Sequence, residues 1–174
     1  MNAIRRFSFA IPFFAFLFCF AAGVQAGEFA QPRPGLRTGG QPSLEQLDAL
    51  PAQGVRTVID LRPDSEDHGY DEARELQRRK LKYLKLPIAG AQDLTPANAA
   101  ALKKLLDESG DGVLLHCASG NRAGALLALM AAQEERLPPE QALALGKQAG
   151  MKSLAPVVAQ KLGLPPAAAN QTQP

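Results

Sequence analysis

The chain has 174 residues, with 19 basic side chains, 17 acidic side chains and a formal net charge of +2 at neutral pH. No basic stripe indicates a nucleic-acid partner. Beyond the N-terminal apolar run there is no second segment apolar enough to indicate a membrane-spanning helix. We therefore expect no nucleic acid among the partners of this protein.

The first 26 residues have the parts of a secretory signal peptide. Arg5 and Arg6 precede an apolar run over residues 7–22, and small residues lead to a cleavage site after Ala26. A membrane anchor is the alternative, but Pro12 interrupts the run and small residues follow it. We therefore expect an exported protein, periplasmic or secreted, with no stable membrane anchor after signal cleavage.

Cleavage would leave 148 residues, enough for one domain with a hydrophobic core. We place that domain at residues 27–164 and a disordered Pro-, Ala- and Gln-rich tail at residues 165–174. Cys117 would be the one cysteine left in the mature chain. A lone thiol in an exported protein is either buried and inert or kept for its reactivity.

Strand and helix patterns alternate in the first half of the domain. Residues 27–35 read as irregular, and Ser43 with Gln46 three residues later indicates a helix N-cap. In chain order the patterns predict a short edge strand over 36–39, a helix over 44–50, a buried strand over 55–61, a polar loop over 62–70, a charged helix over 71–80 and a strand over 81–86.

The second half begins with a loop over residues 88–95 and is mostly helical. Pro96 after Thr95 indicates a helix start. The further predictions are a helix to about residue 109, a strand over 112–115, and helices over 122–136, 138–149 and 152–162. This alternation predicts an α/β fold with a mostly parallel sheet and helices on both faces. Loops 61–70, 87–95 and 117–122 should then converge at the carboxyl ends of the strands.

Cys117 lies where the last predicted strand ends, and Arg122 lies where a helix begins, with Gly120 between them. A helix start offers free backbone N–H groups and a positive dipole end, which bind oxyanions and favour a thiolate. A guanidinium beside that thiolate can hold two oxygens of a bound oxyanion. This pattern predicts group transfer through a cysteine nucleophile.

These residues resemble the cysteine-dependent phosphatases of the tyrosine and dual-specificity type, and most closely a bacterial branch, the β-lactamase-hydrolase-like phosphatase domains. The similarity covers residues 36–162, nearly the whole mature domain. It is carried by an upstream Asp loop and by residues 40–42 (Gly-Gln-Pro), 57–64 (Thr-Val-Ile-Asp-Leu-Arg-Pro-Asp), 113–117 (Val-Leu-Leu-His-Cys), Gly120 and Arg122.

The resemblance implies a protein-tyrosine-phosphatase-like fold and roles for particular residues. Cys117 would form a phosphocysteine, and His116 would tune Cys117 through hydrogen bonds. Arg122 would grip two phosphoryl oxygens together with backbone N–H groups of Ala118, Ser119, Gly120, Asn121 and Arg122 itself.

The resemblance also implies a general acid on a nearby loop. Asp93 is the first candidate for protonating the leaving oxygen and Asp64 the second. Asp93 has an alternative role as a capping residue near Thr95. The expected substrate is a phosphoprotein or a small phosphomonoester, a phosphotyrosine side chain being one candidate. No metal or cofactor is expected.

Two departures from the family pattern leave other functions open. Four residues rather than five separate Cys117 from Arg122, and Ala123 stands where a Ser or Thr usually stabilises the leaving thiolate. The shorter spacing is also the rhodanese pattern, so one alternative is a sulfurtransferase with a persulfide on Cys117. The other is a module that binds an oxyanion without turnover. Helical periodicity over residues 137–162 favours the phosphatase-like fold.

Other polar residues receive simpler interpretations. Asp60 is expected to end a strand, and Arg62 is either a surface charge or a substrate contact. The polar loop that contains His68 could suggest a metal site, but a hydrated surface loop is the preferred interpretation. The charge run over residues 71–82 is read as a solvated helix face.

Overall fold

The structure is a computed structural model that describes residues 28–165. The predicted signal peptide and nearly all of the predicted tail lie outside these residues. Within the described part of the chain, no helix combines the length and the apolar character needed to cross a membrane.

Five strands and six helices alternate along the described chain. They are β1 (Ala30–Arg33), β2 (Leu36–Gly39), α1 (Leu44–Ala49), β3 (Thr57–Asp60), α2 (Glu72–Arg78), β4 (Lys82–Lys85), α3 (Pro96–Ser109), β5 (Val113–His116), α4 (Asn121–Gln133), α5 (Pro139–Gln148) and α6 (Ala155–Lys161). A short 3-10 turn over Ala91–Asp93 lies between β4 and α3.

The strands form one sheet in the order β1-β2-β5-β3-β4. All neighbours are parallel except β1 and β2, which pair antiparallel. In register, His116 lies between Gly39 and Asp60, and Asp60 lies opposite Lys85 on β4. The carboxyl ends of the four parallel strands therefore form one row, as the alternation of elements predicted.

Two predictions at the start of the domain were wrong. Residues 27–35 were expected to be irregular, but Ala30–Arg33 form β1. Consequently β2 is not an edge strand, because β1 covers its outer side. The error has a physical cause: Pro32 lies within β1 and Pro34 lies in the turn that follows, and these prolines hide the strand pattern, yet an edge strand tolerates proline.

Helices cover both faces of the sheet, and each face has its own core. On one face α1 and α2 pack Leu47, Leu50 and Leu76 against Val58 and Leu114. The other face carries α3, α4, α5 and α6, with α4 buried along nearly its whole length. Two covered faces explain why the inner strands are apolar throughout rather than alternating.

Helices α4 and α5 approach each other most closely at two glycines. A Cβ atom on Gly124 would collide with the Gly146 carbonyl oxygen and would lie 2.5 Å from the Met151 amide nitrogen. A Cβ atom on Gly146 would lie 2.7 Å from the Ala128 Cβ atom. This contact holds α5 and the following residues against the start of α4, beside the loop that contains Cys117.

Candidate active site

Cys117 directly follows β5, at the carboxyl edge of the sheet, and is fully buried. The Gly120 amide N–H donates to its Sγ atom at 3.2 Å. Gly120 has φ +85°, a left-handed conformation that glycine adopts without strain, and α4 begins at the next residue. The chain thus turns sharply enough to aim a backbone N–H at the sulfur.

The strand end at residues 39–41 supports the cysteine loop from one side. The Cys117 amide donates to the Gly39 carbonyl oxygen at 3.3 Å, and the Gln41 amide donates to the Ala118 carbonyl oxygen at 3.2 Å. A Cβ atom on Gly40 would lie 3.0 Å from that Ala118 oxygen. The Gly-Gln-Pro motif therefore lets a second backbone segment lie against the loop.

On the other side of the cysteine loop, the Asn121 side chain forms hydrogen bonds with the segment that precedes α6. Its Oδ1 atom accepts from the Lys152 amide at 2.7 Å and from the Leu154 amide at 3.3 Å, while its Nδ2 donates to the Ser153 hydroxyl at 2.8 Å. These contacts join the first residue of α4 to the segment before α6. The Asn121 side chain therefore has a bracing role, and its backbone N–H was the part predicted to bind phosphate.

Arg122 connects the cysteine loop to the two other loops at this edge. Its Nη1 and Nη2 atoms both donate to the Glu66 carboxylate, the Nη2 to Oε2 distance being 2.8 Å. Nη1 also donates to the Ile88 carbonyl oxygen at 2.8 Å. The three loops that were predicted to converge are thus joined through a single guanidinium.

The Glu66 pair occupies only part of the guanidinium. An end-on pair through Nη1 and Nη2 leaves Nε–H and the second Nη2 hydrogen of Arg122 for another acceptor. The hydrogen bonds from Arg122 hold the pKa of Glu66 below its ordinary value, and Glu66 raises the pKa of Arg122. Glu66 was missed from the sequence, where it is one of several acidic residues in a polar loop.

His116 lies behind the nucleophile in a buried group of charged side chains with Asp60, Arg62 and Glu72. Its Nε2 atom is 3.1 Å from Glu72 Oε1 and 3.8 Å from Asp60 Oδ1. Its Nδ1 atom lies 3.4 Å from the Cys117 carbonyl oxygen. His116 therefore contacts the backbone of the nucleophile rather than the sulfur.

Arg62 holds the two buried carboxylates together. Its Nε donates to Asp60 Oδ1 at 2.9 Å and its Nη2 to Asp60 Oδ2 at 2.9 Å, and Nη2 also contacts Glu72. Burial disfavours the ionised form of Asp60, but the hydrogen bonds from Arg62 and the nearby His116 outweigh it and hold the pKa of Asp60 below its ordinary value. The buried charges therefore form one connected network.

Two interpretations from the sequence are corrected by this network. Arg62 was expected at the surface or on a substrate, and it is fully buried. Glu72 was read as part of a solvated helix face, and it points inward from the first turn of α2. A charged residue in a charged run carries no signal of burial, because only the partner across the fold makes burial tolerable.

The two candidate acids lie in different surroundings. Asp93 accepts the Ala89 amide N–H at 2.7 Å and so closes its own loop, whereas Thr95 is the N-cap of α3. Asp64 points outward and pairs with Lys85 at the end of β4, and this pair holds the pKa of Asp64 below its ordinary value. Asp93 shares its loop with Ile88, whose carbonyl oxygen contacts Arg122.

One group of side chains has the composition of a metal site. Asp60, Glu72 and His116 each offer a ligand atom, and these atoms lie within 4.8 Å of one another. Arg62 donates to both carboxylates, however, and a guanidinium is a permanent cation that would repel a metal ion at the same place. These residues therefore do not fit a metal ion.

Comparison with known proteins supports the fold and the family. A family model described as a DSP-PTPase phosphatase fused to NAD+ kinase matches residues 27–154. A β-lactamase hydrolase-like protein from Xylella fastidiosa is 33% identical over 119 residues, which are 66% of this chain and 27% of that protein. The chain thus spans about a quarter of the length of that relative.

Solved structures with the same fold include several phosphatases. A candidate phosphatase from Neisseria meningitidis has a TM-score of 0.65 at 17% identity, covering 76% of this chain and 96% of that one. One from Shewanella putrefaciens has a TM-score of 0.57 at 26% identity, covering 77% and 90%. A cysteine-to-serine variant of TpbA from Pseudomonas aeruginosa, in complex with phosphotyrosine, has a TM-score of 0.60 at 19% identity, covering 78% and 89%.

These structures confirm the protein-tyrosine-phosphatase-like α/β fold that the resemblance implied. The family model covers well over half of the chain, including β1 to β5 and the whole cysteine loop. The chain therefore belongs to the DSP-PTPase phosphatase family.

Proposed function

We propose that this protein hydrolyses phosphomonoesters through a phosphocysteine formed on Cys117. The observation that carries the proposal is the position of Cys117 at the end of β5, with the Gly120 N–H directed at its sulfur and Arg122 in the first turn of α4. Membership of a phosphatase family supports the same reaction. A narrower form of the proposal is that the enzyme is of the protein-tyrosine or dual-specificity phosphatase class.

In the first step the Cys117 thiolate attacks phosphorus. The Sγ–P bond forms while the bond from phosphorus to the ester oxygen breaks. Backbone N–H groups of the loop and the Nε–H edge of Arg122 stabilise the charge on the equatorial oxygens. Asp93 donates a proton to the departing oxygen, so that the alcohol or phenol leaves neutral.

In the second step a water molecule attacks the phosphocysteine. Its oxygen bonds to phosphorus, the P–Sγ bond breaks, and Asp93 takes the proton from that water. Inorganic phosphate leaves and the thiolate is restored. Because Ala123 offers no hydroxyl, the Gly120 N–H, which donates to Sγ at 3.2 Å, is the group that stabilises the departing sulfur.

We also propose that the protein works outside the cytoplasm, as the N-terminal sequence predicts. The thiol would then face oxidants, and oxidation of Cys117 would remove the nucleophile. Activity of the purified protein is therefore expected to decline without a reductant and to return when a thiol reductant is added.

The first test compares wild type with Cys117→Ser in two assays, aryl-phosphate hydrolysis and sulfur transfer from thiosulfate to cyanide. We expect hydrolysis by wild type, loss of hydrolysis in the variant, and no sulfur transfer by either. The variant should unfold at nearly the same temperature as wild type, because serine is close to cysteine in size.

Two results would overturn the proposal. Sulfur transfer without hydrolysis would assign a persulfide chemistry to Cys117. Binding of phosphate by both proteins, with no turnover by wild type in either assay, would leave an oxyanion-binding module.

A further inference from the structure

Four ionisable side chains, Asp60, Arg62, Glu72 and His116, lie directly behind Cys117 with at most 2% of their surface exposed. They comprise two carboxylates, one guanidinium and one imidazole. With a neutral imidazole the group has a formal charge of −1, whereas with an imidazolium it is neutral. An uncompensated buried charge is strongly destabilising, so the charge balance favours the imidazolium.

The atoms that face the two ring nitrogens of His116 favour the same state, and the Nε2 contact is a close charge contact without standard hydrogen-bond geometry. Its Nε2 atom faces Glu72 Oε1 at 3.1 Å, and its Nδ1 atom faces the Cys117 carbonyl oxygen at 3.4 Å. A carboxylate and a carbonyl oxygen only accept hydrogen bonds. Both ring nitrogens therefore need a hydrogen to interact favourably, and the imidazolium is the one form with both.

Glu72 is the carboxylate that bears most directly on this imidazole. Its other oxygen contacts Arg62, and Oε1 has no hydrogen-bond partner of standard geometry among the described residues, so the contact of Oε1 with the His116 ring nitrogen at 3.1 Å is its closest charge contact given by the structure. Asp60 Oδ1 is further from Nε2, at 3.8 Å, and accepts from Arg62.

We propose that Glu72 is a positioning residue for the nucleophile: its carboxylate holds His116 as an imidazolium, and that charge favours the thiolate of the adjacent Cys117. The inference rests on the proposed function only in taking Cys117 as the nucleophile. It assigns to α2 a part in the reaction, although α2 lies on the face of the sheet opposite α4.

The other groups around the network leave this balance in place. The Tyr83 hydroxyl donates to Asp60 Oδ2 at 2.9 Å, and burial raises the pKa of Tyr83, so it adds no negative charge. Burial likewise raises the pKa of Tyr70 to about 12. The His68 side chain is 20% exposed, and its Nδ1 atom lies 3.9 Å from Asp60 Oδ2, so it faces Asp60 from the solvent side rather than Glu72. On the side of the cysteine loop, Arg122 forms an ion pair with Glu66, so this pair adds no net charge.

The sign of one measurement separates this role from a simple charge effect. Removing the negative charge of Glu72 would by itself favour a nearby thiolate and lower the pH at which Cys117 reacts. If Glu72 acts through His116, its removal takes away the imidazolium and raises that pH instead.

The experiment follows the pH dependence of Cys117 alkylation by iodoacetamide, in which the thiolate forms an Sγ–C bond and expels iodide. For Glu72→Gln in the full chain we expect the midpoint to rise by about one pH unit. Glu75→Gln, a change on the same helix in a partly exposed residue paired with Arg78 and Arg79, should leave the midpoint unchanged. A midpoint that is unchanged or lower in Glu72→Gln would overturn the proposal.

A double-mutant cycle tests whether Glu72 acts through His116. In a His116→Asn background, Glu72→Gln should no longer raise the alkylation midpoint. A rise of the same size in that background would contradict the proposed route. Thermal unfolding of each variant shows whether the compared proteins are folded.

A second measurement observes the wild-type network directly. The chain has two histidines, so the ¹⁵N signals of His116 in the untagged wild-type protein are identified by their loss in His116→Asn. We expect both ring nitrogens to be protonated at neutral pH, and a neutral tautomer would overturn the proposal. Neither measurement uses hydrolysis, so failure of the phosphatase assay and failure of this inference are distinguishable.

Discussion

Asp93 is the residue whose role depends most on a change of state. In the described structure its Oδ2 atom accepts the Ala89 N–H at 2.7 Å, whereas a general acid must donate a proton to the leaving oxygen. We expect Asp93→Asn to slow hydrolysis of an alkyl phosphate by about 100-fold and to spare an activated aryl phosphate. Steady-state rates on the two substrates check this.

Asp64→Asn is the matched control for that comparison. Asp64 pairs with Lys85 at an exposed position, so both rates should stay close to those of wild type. If Asp64→Asn shows the dependence on the leaving group and Asp93→Asn does not, the acid has been assigned to the wrong loop.

Glu66 is the second residue whose substitution is expected to change the rate of hydrolysis. It holds both terminal nitrogens of Arg122, and misplacing that guanidinium should weaken stabilisation of the transition state. We expect Glu66→Ala to lower kcat by about 10- to 100-fold, with a smaller change in KM. Asp67→Ala in the same loop is the control, and equal losses in both variants would show a general disturbance of the loop.

Among the elements, the contact between α4 and α5 is the most restrictive. Gly124 faces the backbone at Gly146 and Met151, where a methyl group has no space. We expect Gly124→Ala to destabilise the fold by about 1–3 kcal/mol, as overpacking of a filled core does. Urea unfolding measures the change, and an unaltered midpoint would mean that α5 can move away without cost.

Helices and strands were predicted correctly where the signals that define them lie within their own sequence. The capping box at Ser43 and Gln46 and the Thr95-Pro96 start of α3 appear as predicted. The strand β1 was missed, because an edge strand depends on its neighbour more than on its own sequence. An element with capping or periodicity signals in its own sequence can be predicted, whereas a strand that forms only by pairing with its neighbour cannot.

For the whole molecule, carboxylates that pair with arginines set the response to acid. The pKa of Asp60 and the pKa of Glu66 are held below their ordinary values in the folded chain, so their stabilising contributions are complete above the unfolded values, near about pH 4, and are lost as the pH falls through the folded values. We expect the urea midpoint to be lower at about pH 3 than at about pH 6.

Two variants test the source of that acid sensitivity. Asp107→Asn removes an exposed carboxylate that pairs with Lys103, and it should leave the fall in the urea midpoint intact. Asp60→Asn should give a smaller fall from its own value at the higher pH, because the asparagine cannot be protonated. An equal fall in wild type and Asp60→Asn would place the sensitivity elsewhere.

The sequence by itself determined the fold class, the convergence of three loops and the prediction of Cys117 and Arg122 as a pair. Those inferences follow from periodicity and from the strand–loop–helix order, both of which are local. Tertiary structure alone decided that Glu66 binds Arg122 and that Arg62 and Glu72 are buried behind His116. These contacts join residues far apart in the chain, and the burial of a charge depends on a partner that no local pattern identifies.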